Sequence, residues 1–176
     1  MHINKPIINI IKKYINSKMI LLKSKKMKII AYSLFIILLD QISKLLVLNT
    51  LGFEKSKNII PSLLNFTLVK NKGAAFSLFS NSTNFLTTIS IIASLLLISI
   101  IIKSPPKSYW NFIGIAFLLG GTVGNGIDRL LKGYVLDFLE LVPINFPIFN
   151  IADISINIAI ICFMIDITKG KSKIKY

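Results

Sequence analysis

The chain has 176 residues, of which 53% are hydrophobic and 16% are charged, and its mean hydropathy is +0.71. A soluble domain has about a quarter of its residues charged, so this composition indicates a membrane protein. The net charge of +14 would suggest nucleic acid in a soluble protein, but the basic residues flank apolar segments, and we expect no nucleic-acid partner. A single Cys162 and a single His2 exclude a disulfide framework, a Cys/His zinc site and catalytic sets built on Cys/His or Ser/His/Asp.

Four apolar stretches are long enough to cross a bilayer, which takes about 20 helical residues. They are Ile29–Leu48, Phe85–Ile102, Trp110–Ile127 and Phe149–Ile167. A Ser-Pro-Pro turn that a helix cannot continue through separates the second stretch from the third. The sequence therefore predicts an all-α membrane protein with four transmembrane helices.

The lysines are unevenly distributed around these spans. Fourteen lie before the first span, in the turn between spans two and three, and after the fourth span, whereas five lie in the two longer connections. The positive-inside rule therefore places both termini in the cytoplasm and the two longer connections on the outer side.

Residues 1–28 precede the first span and contain eight lysines. Isoleucines and Tyr14 fall on one helical face with lysines opposite, a pattern typical of an interfacial helix on anionic lipid. We divide the chain into this lysine-rich cytoplasmic extension, a four-span domain at 29–168 and a basic cytoplasmic tail at 169–176. Met27 is also a candidate for a later start.

The two outer connections have the character of strands. Leu63–Val69 and Tyr134–Val142 are rich in β-branched and aromatic residues, and alternate residues from Val135 to Leu141 share one face. We expect a small β-sheet at the outer membrane surface.

Three of the seven acidic residues converge on that surface. Asp128 ends span three, Asp137 lies in the strand-like connection, and Asp153 lies about one turn into span four. Ionisable groups near hydrocarbon are costly and are functional candidates, and clustered carboxylates can share a proton and activate water for attack on a peptide carbonyl. The alternative is that these acids cap helices or pair with Arg129 and Lys132.

Further polar residues lie within or at the ends of the spans. Asp40 and Lys44 are four residues apart in span one, so they can pair on one helical face; a structural role is the first interpretation, and a proton or ion path is the alternative. Asn125 and Asn150 lie near the outer ends of spans three and four, and Asn71 lies in the first outer connection. In each place an amide can hold a substrate peptide or cap a backbone end.

Five segments resemble, in order and spacing, the motifs of the lipoprotein signal peptidases, the bacterial signal peptidase II family. They are Asp40-Gln41-Ile42-Ser43-Lys44, Asn71-Lys72-Gly73-Ala74-Ala75-Phe76, Gly120-Gly121-Thr122-Val123-Gly124-Asn125-Gly126-Ile127-Asp128-Arg129, Val135-Leu136-Asp137-Phe138 and Phe149-Asn150-Ile151-Ala152-Asp153. The resemblance covers about residues 29–168.

The resemblance implies an intramembrane aspartic endopeptidase of the bacterial inner membrane, without metal or other cofactor. Its substrates would be diacylglyceryl-modified prolipoproteins, cut just before the lipidated cysteine at the outer, periplasmic face. The resemblance assigns the catalytic pair to Asp137 and Asp153; composition and spacing alone do not choose Asp137 over Asp128. We expect a monomer surrounded by membrane lipids.

The same resemblance implies supporting roles for the other polar residues. Asp40 and Lys44 would form a structural pair. The residues expected to hold the site or the substrate backbone are Asn71, Asn125, Asp128, Arg129 and Asn150. Gly126 stands where larger apolar residues are common in the family.

Two other functions remain as alternatives. In a small proton-coupled transporter or channel subunit, Asp40 would be the residue that tolerates no change. In a non-catalytic membrane assembly factor, no single carboxylate would matter more than the glycines of span three.

Overall fold

The computed structural model describes residues 5–53, 55–73, 82–144 and 146–171. Its helices are α1 (Lys5–Leu51), α2 (Thr83–Lys103), α3 (Tyr109–Lys132) and α4 (Ile151–Lys171), and its strands are β1 (Ser56–Ile60), β2 (Leu64–Asn71) and β3 (Val135–Leu141). All four helices are long and apolar enough to cross a membrane. The predicted fold class, four spanning helices with a small sheet, is confirmed.

Helix α1 extends far beyond the predicted first span. Its 47 residues contain no glycine, and its only proline, Pro6, lies in the first turn. The helix ends before Gly52, whose φ of 75° is the left-handed conformation that favours glycine. At 1.5 Å per residue α1 is about 70 Å long, more than twice the hydrocarbon thickness of a bilayer. The boundary predicted after residue 28 therefore falls inside a continuous helix, and lipid contact of the extension stays a prediction.

The sheet is antiparallel and has the strand order β1-β2-β3. Strands β2 and β3 match the two predicted segments. Strand β1 was missed because all five of its residues are exposed, so it has no buried face to produce an apolar alternation. Strand β3 is buried from Val135 to Leu139. Its buried apolar side chains pack with Val47 of α1 and Leu68 of β2, and β2 and Phe149 pair with its two edges.

Two apolar clusters lie at opposite ends of the helical bundle. One contains Ile29 of α1 with buried residues of α2 and α3, and the other contains Val47 of α1 with Leu68 and Phe138 of the sheet. The end with the strands is called the sheet end below. Between the clusters, α1 carries the fully buried polar residues Asp40 and Lys44.

Helix α3 lies against the three other helices, and glycines allow the close approach. A β-carbon at Gly121 would lie 2.5 Å from the carbonyl oxygen of Ala152 in α4, and one at Gly120 would lie 2.7 Å from Ile36 in α1. These separations are shorter than any real contact of a β-carbon, so α3 packs backbone to backbone at this level.

We predict that Gly121→Ala lowers the thermal unfolding midpoint in detergent, because the added methyl group meets backbone that cannot rotate away. Overpacking of this kind costs about 1–3 kcal/mol. Gly126→Ala is the matched control, since among the described residues its β-carbon would meet only the Ser90 side chain, at 3.2 Å. Equal midpoints for the two variants would contradict this account of the α3–α4 contact.

Candidate active site

An open cleft of about 1130 Å³ lies at the sheet end, bounded by α2, α3, α4 and the strands β2 and β3. The sequence-predicted site residues that line it are Asn71, Asn125, Arg129, Asp137 and Asp153. Asn150 is fully buried beside them. The structure therefore brings the predicted polar residues of four separate motifs to one cleft.

Two asparagine side chains connect Asp137 to Asp153. The Asn150 side-chain amide donates to Asp137 Oδ1 at 2.6 Å and to Asn125 Oδ1 at 2.9 Å. The Asn125 amide in turn donates to Asp153 Oδ1 at 2.8 Å. This chain of hydrogen bonds fixes the two carboxyl groups relative to each other, although one comes from a strand and the other from a helix.

Asp153 is oriented by the local sequence at the start of α4. The backbone N–H of Asn150 donates to Asp153 Oδ2 at 3.1 Å, and the backbone N–H of Asp153 donates to Asn150 Oδ1 at 3.0 Å. This reciprocal arrangement is a capping box, in which two side chains satisfy N–H groups that a helix start leaves unpaired. Asp153 can therefore cap the start of α4 and belong to the candidate active site at the same time.

Asp137 is 1% exposed and accepts hydrogen bonds on both carboxyl oxygens. Asn71 donates to Oδ2 at 2.8 Å, and Asn150 donates to Oδ1. Burial, together with the charge of Asp153, raises the pKa of Asp137 to about 7, against the opposing effect of the two amide donors. Near neutral pH, Asp137 therefore carries a proton for part of the time.

Asp40 and Asp128 lie behind the cleft and share one buried lysine. Lys44 Nζ lies 2.8 Å from Asp40 Oδ2 and 2.9 Å from Asp128 Oδ2, and all three side chains are inaccessible to solvent. Lys44 also donates to Asn125 Oδ1 at 3.1 Å. Asp128 has a second ion pair with Lys132 at 2.8 Å.

The four carboxylates thus differ in their neighbours. Asp40 and Asp128 have ion-pair partners, whereas no ion pair within 4 Å joins Asp137 or Asp153 to a basic group in the described part of the chain. Three carboxylates were expected to meet at one surface, but only Asp137 and Asp153 line the cleft. Asp128 instead accepts from the backbone N–H of Leu136 and so anchors the start of β3.

Arg129 joins α3 to the segment that follows β2. Its guanidinium donates to the carbonyl oxygen of Gly73 at 3.3 Å and interacts electrostatically with Asp153 and Asp137. Residues 74–76 of the predicted motif lie outside the described residues. Across the ranges that are described, no group of three or more His, Cys, Asp or Glu residues could hold a metal ion.

Several contacts were not predicted from the sequence. Gln41 donates to Asp40 Oδ2 and to the carbonyl oxygen of Gly124, which joins α1 to α3. The cleft is also lined by Thr122 and Asn157. The spacing of four residues between Asp153 and Asn157 places both on one face of α4, and this was the available indication for Asn157.

The fold and the cleft define a class: a multi-pass membrane protein with one buried and one partly buried carboxyl group, both held by asparagines beside an open cleft. Comparison with known proteins makes this more specific. The sequence model of the Signal peptidase (SPase) II family matches residues 32–169. The chain belongs to the signal peptidase II family, and the resemblance inferred from the motifs is confirmed.

Individual proteins of this family are similar to the chain over most of its length. The lipoprotein signal peptidase of Parasynechococcus marenigrum (strain WH8102) is 44% identical over 141 residues, which are 80% of this chain and 89% of that protein. That of Enterococcus faecalis (strain ATCC 700802 / V583) is 41% identical over 127 residues, 72% of this chain and 79% of that protein. A solved structure described as a bacterial membrane enzyme superposes with a TM-score of 0.78 at 35% identity, covering 84% of this chain and 92% of that one.

We predict that Lys44→Met strongly lowers stability, because it leaves the carboxylates of Asp40 and Asp128 buried without their shared cation. Removing one partner of a buried ion pair costs about 3–5 kcal/mol. Lys132→Met is the control: Lys132 pairs with the same Asp128 but its side chain is 26% exposed, and such a pair contributes about 1 kcal/mol or less. Thermal unfolding in detergent measures both variants. A loss for Lys44→Met no larger than that for Lys132→Met would contradict the structural role of this cluster.

Proposed function

We propose that this protein is an intramembrane aspartic endopeptidase that cleaves the signal peptide of prolipoproteins just before the lipidated cysteine. The observation that carries the proposal is the arrangement of Asp137 and Asp153: both line a cleft and are linked through Asn150 and Asn125. Neither forms an ion pair within 4 Å with a basic group of the described residues. Membership of the signal peptidase II family supports the substrate class.

The mechanism needs one proton shared by the two carboxyl groups. The raised pKa of Asp137 favours its retaining that proton near neutral pH while Asp153 is ionised, although the two titrate as a pair. The ionised carboxylate takes a proton from a water molecule, and the resulting hydroxide attacks the scissile carbonyl carbon. The protonated carboxyl donates to the carbonyl oxygen as it becomes negative. The amine leaving group then takes a proton from the pair as the C–N bond breaks, which restores the single shared proton.

The surrounding polar residues would keep this pair in place. Asn150 and Asn125 donate to the carboxylates without neutralising them, unlike a lysine, so a proton can still be gained and lost. Arg129 would hold Gly73, two residues after β2, at the wall of the cleft. We assign no metal or other cofactor to the reaction.

The lysine distribution supports an orientation with both termini in the cytoplasm and the sheet end at the outer, periplasmic surface. A substrate anchored by its lipid in the outer leaflet would then meet the carboxylate pair at the level of its lipidated cysteine. In this arrangement residues 1–28 and 169–176 are cytoplasmic flanks, and residues 29–168 form the catalytic unit as a monomer among membrane lipids.

Asp40 is placed poorly for the alternative function as a transporter. Its carboxylate is fully buried and accepts from Lys44, from Gln41 and from the backbone N–H of Ala152. These bonds join α1 to the start of α4 and favour a structural role.

We predict that Asp137→Asn and Asp153→Asn each reduce cleavage of a diacylglyceryl-modified prolipoprotein peptide at least about 100-fold, the contribution of general acid–base catalysis. Glu140→Gln is the matched control, because Glu140 lies in the same strand but accepts from Asn65 and Thr67 rather than lining the cleft. A chelator should leave the wild-type rate unchanged. Wild-type cleavage by either Asp variant would show that the pair is assigned wrongly.

We also predict that Asn71→Ala raises the alkaline limit of activity, which is the pH above which kcat falls because the pair loses its proton. The amide of Asn71 stabilises the ionised form of Asp137, so removing it raises the pKa of Asp137 further above its ordinary value. The pair then keeps its proton to a higher pH. Profiles of kcat from about pH 5 to about pH 9 test this. Thr67→Val, on the same strand but away from Asp137, should leave the limit in place, and an acid shift in Asn71→Ala would contradict the assignment.

A further inference from the structure

The cleft continues past the carboxylate pair, away from the sheet end and along the facing sides of α3 and α4. Two polar residues line this deeper part. Thr122 lies three residues before Asn125 in α3, and Asn157 lies four residues after Asp153 in α4. Each is therefore about 5 Å, one helical turn, deeper in the bundle than the site residue of its own helix.

Neither side chain has a hydrogen-bond partner among the residues that the structure describes. Most other helical hydroxyls donate to a carbonyl oxygen three or four residues earlier. Those hydroxyls belong to Ser33, Ser43, Thr50, Thr87, Thr88, Ser90, Ser94, Ser155 and Thr168. Thr122 does not, and the amide of Asn157 is exposed to the cleft. Both groups are free to bind a ligand.

Asn157 lies within a membrane-spanning helix and is exposed to the cleft, with the apolar residues Ile160 and Ile161 on the next turn. Its amide therefore depends on water or on a polar ligand in the cleft for hydrogen bonds. A substrate peptide that enters the cleft can supply them.

The chemistry of the two side chains fits a peptide backbone. An asparagine amide and a threonine hydroxyl each offer both a donor and an acceptor, which match a peptide N–H and C=O. The ester groups of a lipid offer acceptors only. A substrate peptide that exposes its scissile carbonyl to water has lost its own helical hydrogen bonds nearby, and these cannot be replaced by lipid.

We propose that Asn157 and Thr122 are positioning residues that bind the substrate's peptide backbone on the membrane-embedded side of the scissile bond. This proposal rests on the proposed function. The two residues replace the hydrogen bonds that the unwound segment has lost, and so hold the scissile carbonyl beside Asp137 and Asp153. They extend the site one helical turn deeper than Asn125 and Asp153.

The first test is the kinetics of Asn157→Leu and Thr122→Val with the diacylglyceryl-modified peptide. Loss of one hydrogen bond should raise KM about 3- to 10-fold in each variant, with kcat changed by less than about 2-fold. Thr122→Ser keeps the hydroxyl and should restore the wild-type KM. Thr88→Val is the matched control, since Thr88 is exposed on α2 and donates to the carbonyl oxygen of Asn84.

The second test separates backbone binding from a merely structural role. In a series of substrates, single peptide bonds before the lipidated cysteine are replaced by esters, which removes one N–H each. At one position the ester should raise the KM of the wild type by about the same 3- to 10-fold. It should not raise the KM of Asn157→Leu or Thr122→Val any further. If every ester raised the KM of the variants by the same factor as that of the wild type, the proposal would be overturned.

The outcomes separate this proposal from the proposed function. If the wild type does not cleave the parent peptide, the proposed function fails and this proposal fails with it. If the wild type cleaves and Asp153→Asn does not, but Asn157→Leu and Thr122→Val both keep the wild-type KM, the proposed function stands and only the backbone-binding role is wrong.

Discussion

The buried ammonium group of Lys44 holds together the elements that form the site. It contacts Asp40 of its own helix and Asp128 and Asn125 of α3. Asp40 accepts from the N–H of Ala152 in α4, and Asp128 accepts from the N–H of Leu136 in β3. Because an unpaired charge at such a depth costs several kcal/mol, these bonds form together. The relative positions of α1, α3, α4 and β3 depend on this single group.

This cluster also explains why carboxylates of the same chemical type can have different roles. Asp40 and Asp128 each lie against the ammonium of Lys44, which favours a structural role, whereas Asp137 and Asp153 are held by asparagines. Asn125 connects the two sets, since it accepts from Lys44 and donates to Asp153. Amide donors orient a carboxylate and leave it able to exchange a proton, which is the property that acid–base catalysis requires.

The parts of the fold that have a periodic or compositional pattern could be predicted, and the others could not. Four apolar stretches and two β-branched segments predicted the spans, β2 and β3, whereas the fully exposed β1 has no such pattern. Lys132, four residues after Asp128, indicates one ion pair of Asp128 in the sequence. The distinction between Asp128 and Asp137 still needs tertiary structure, because Lys44, the buried cation that also pairs with Asp128, is distant in sequence. Composition and spacing therefore do not decide whether Asp128 or Asp137 is the catalytic partner of Asp153. The family resemblance assigns that role to Asp137. A single polar residue such as Asn157, which lies outside all five motif segments, forms no pattern in the sequence.

The central claim is that Asp137 and Asp153 hold one proton between them. Infrared titration of the carboxyl C=O band, in wild type and in Asp153→Asn, tests it most directly. In the wild type a carboxyl group assigned through Asp137→Asn should titrate with a pKa of about 7. In Asp153→Asn its pKa should fall, because the neighbouring negative charge is gone. An Asp137 carboxyl that ionises in the ordinary range of an exposed aspartate, and does so equally in both proteins, would contradict a shared proton.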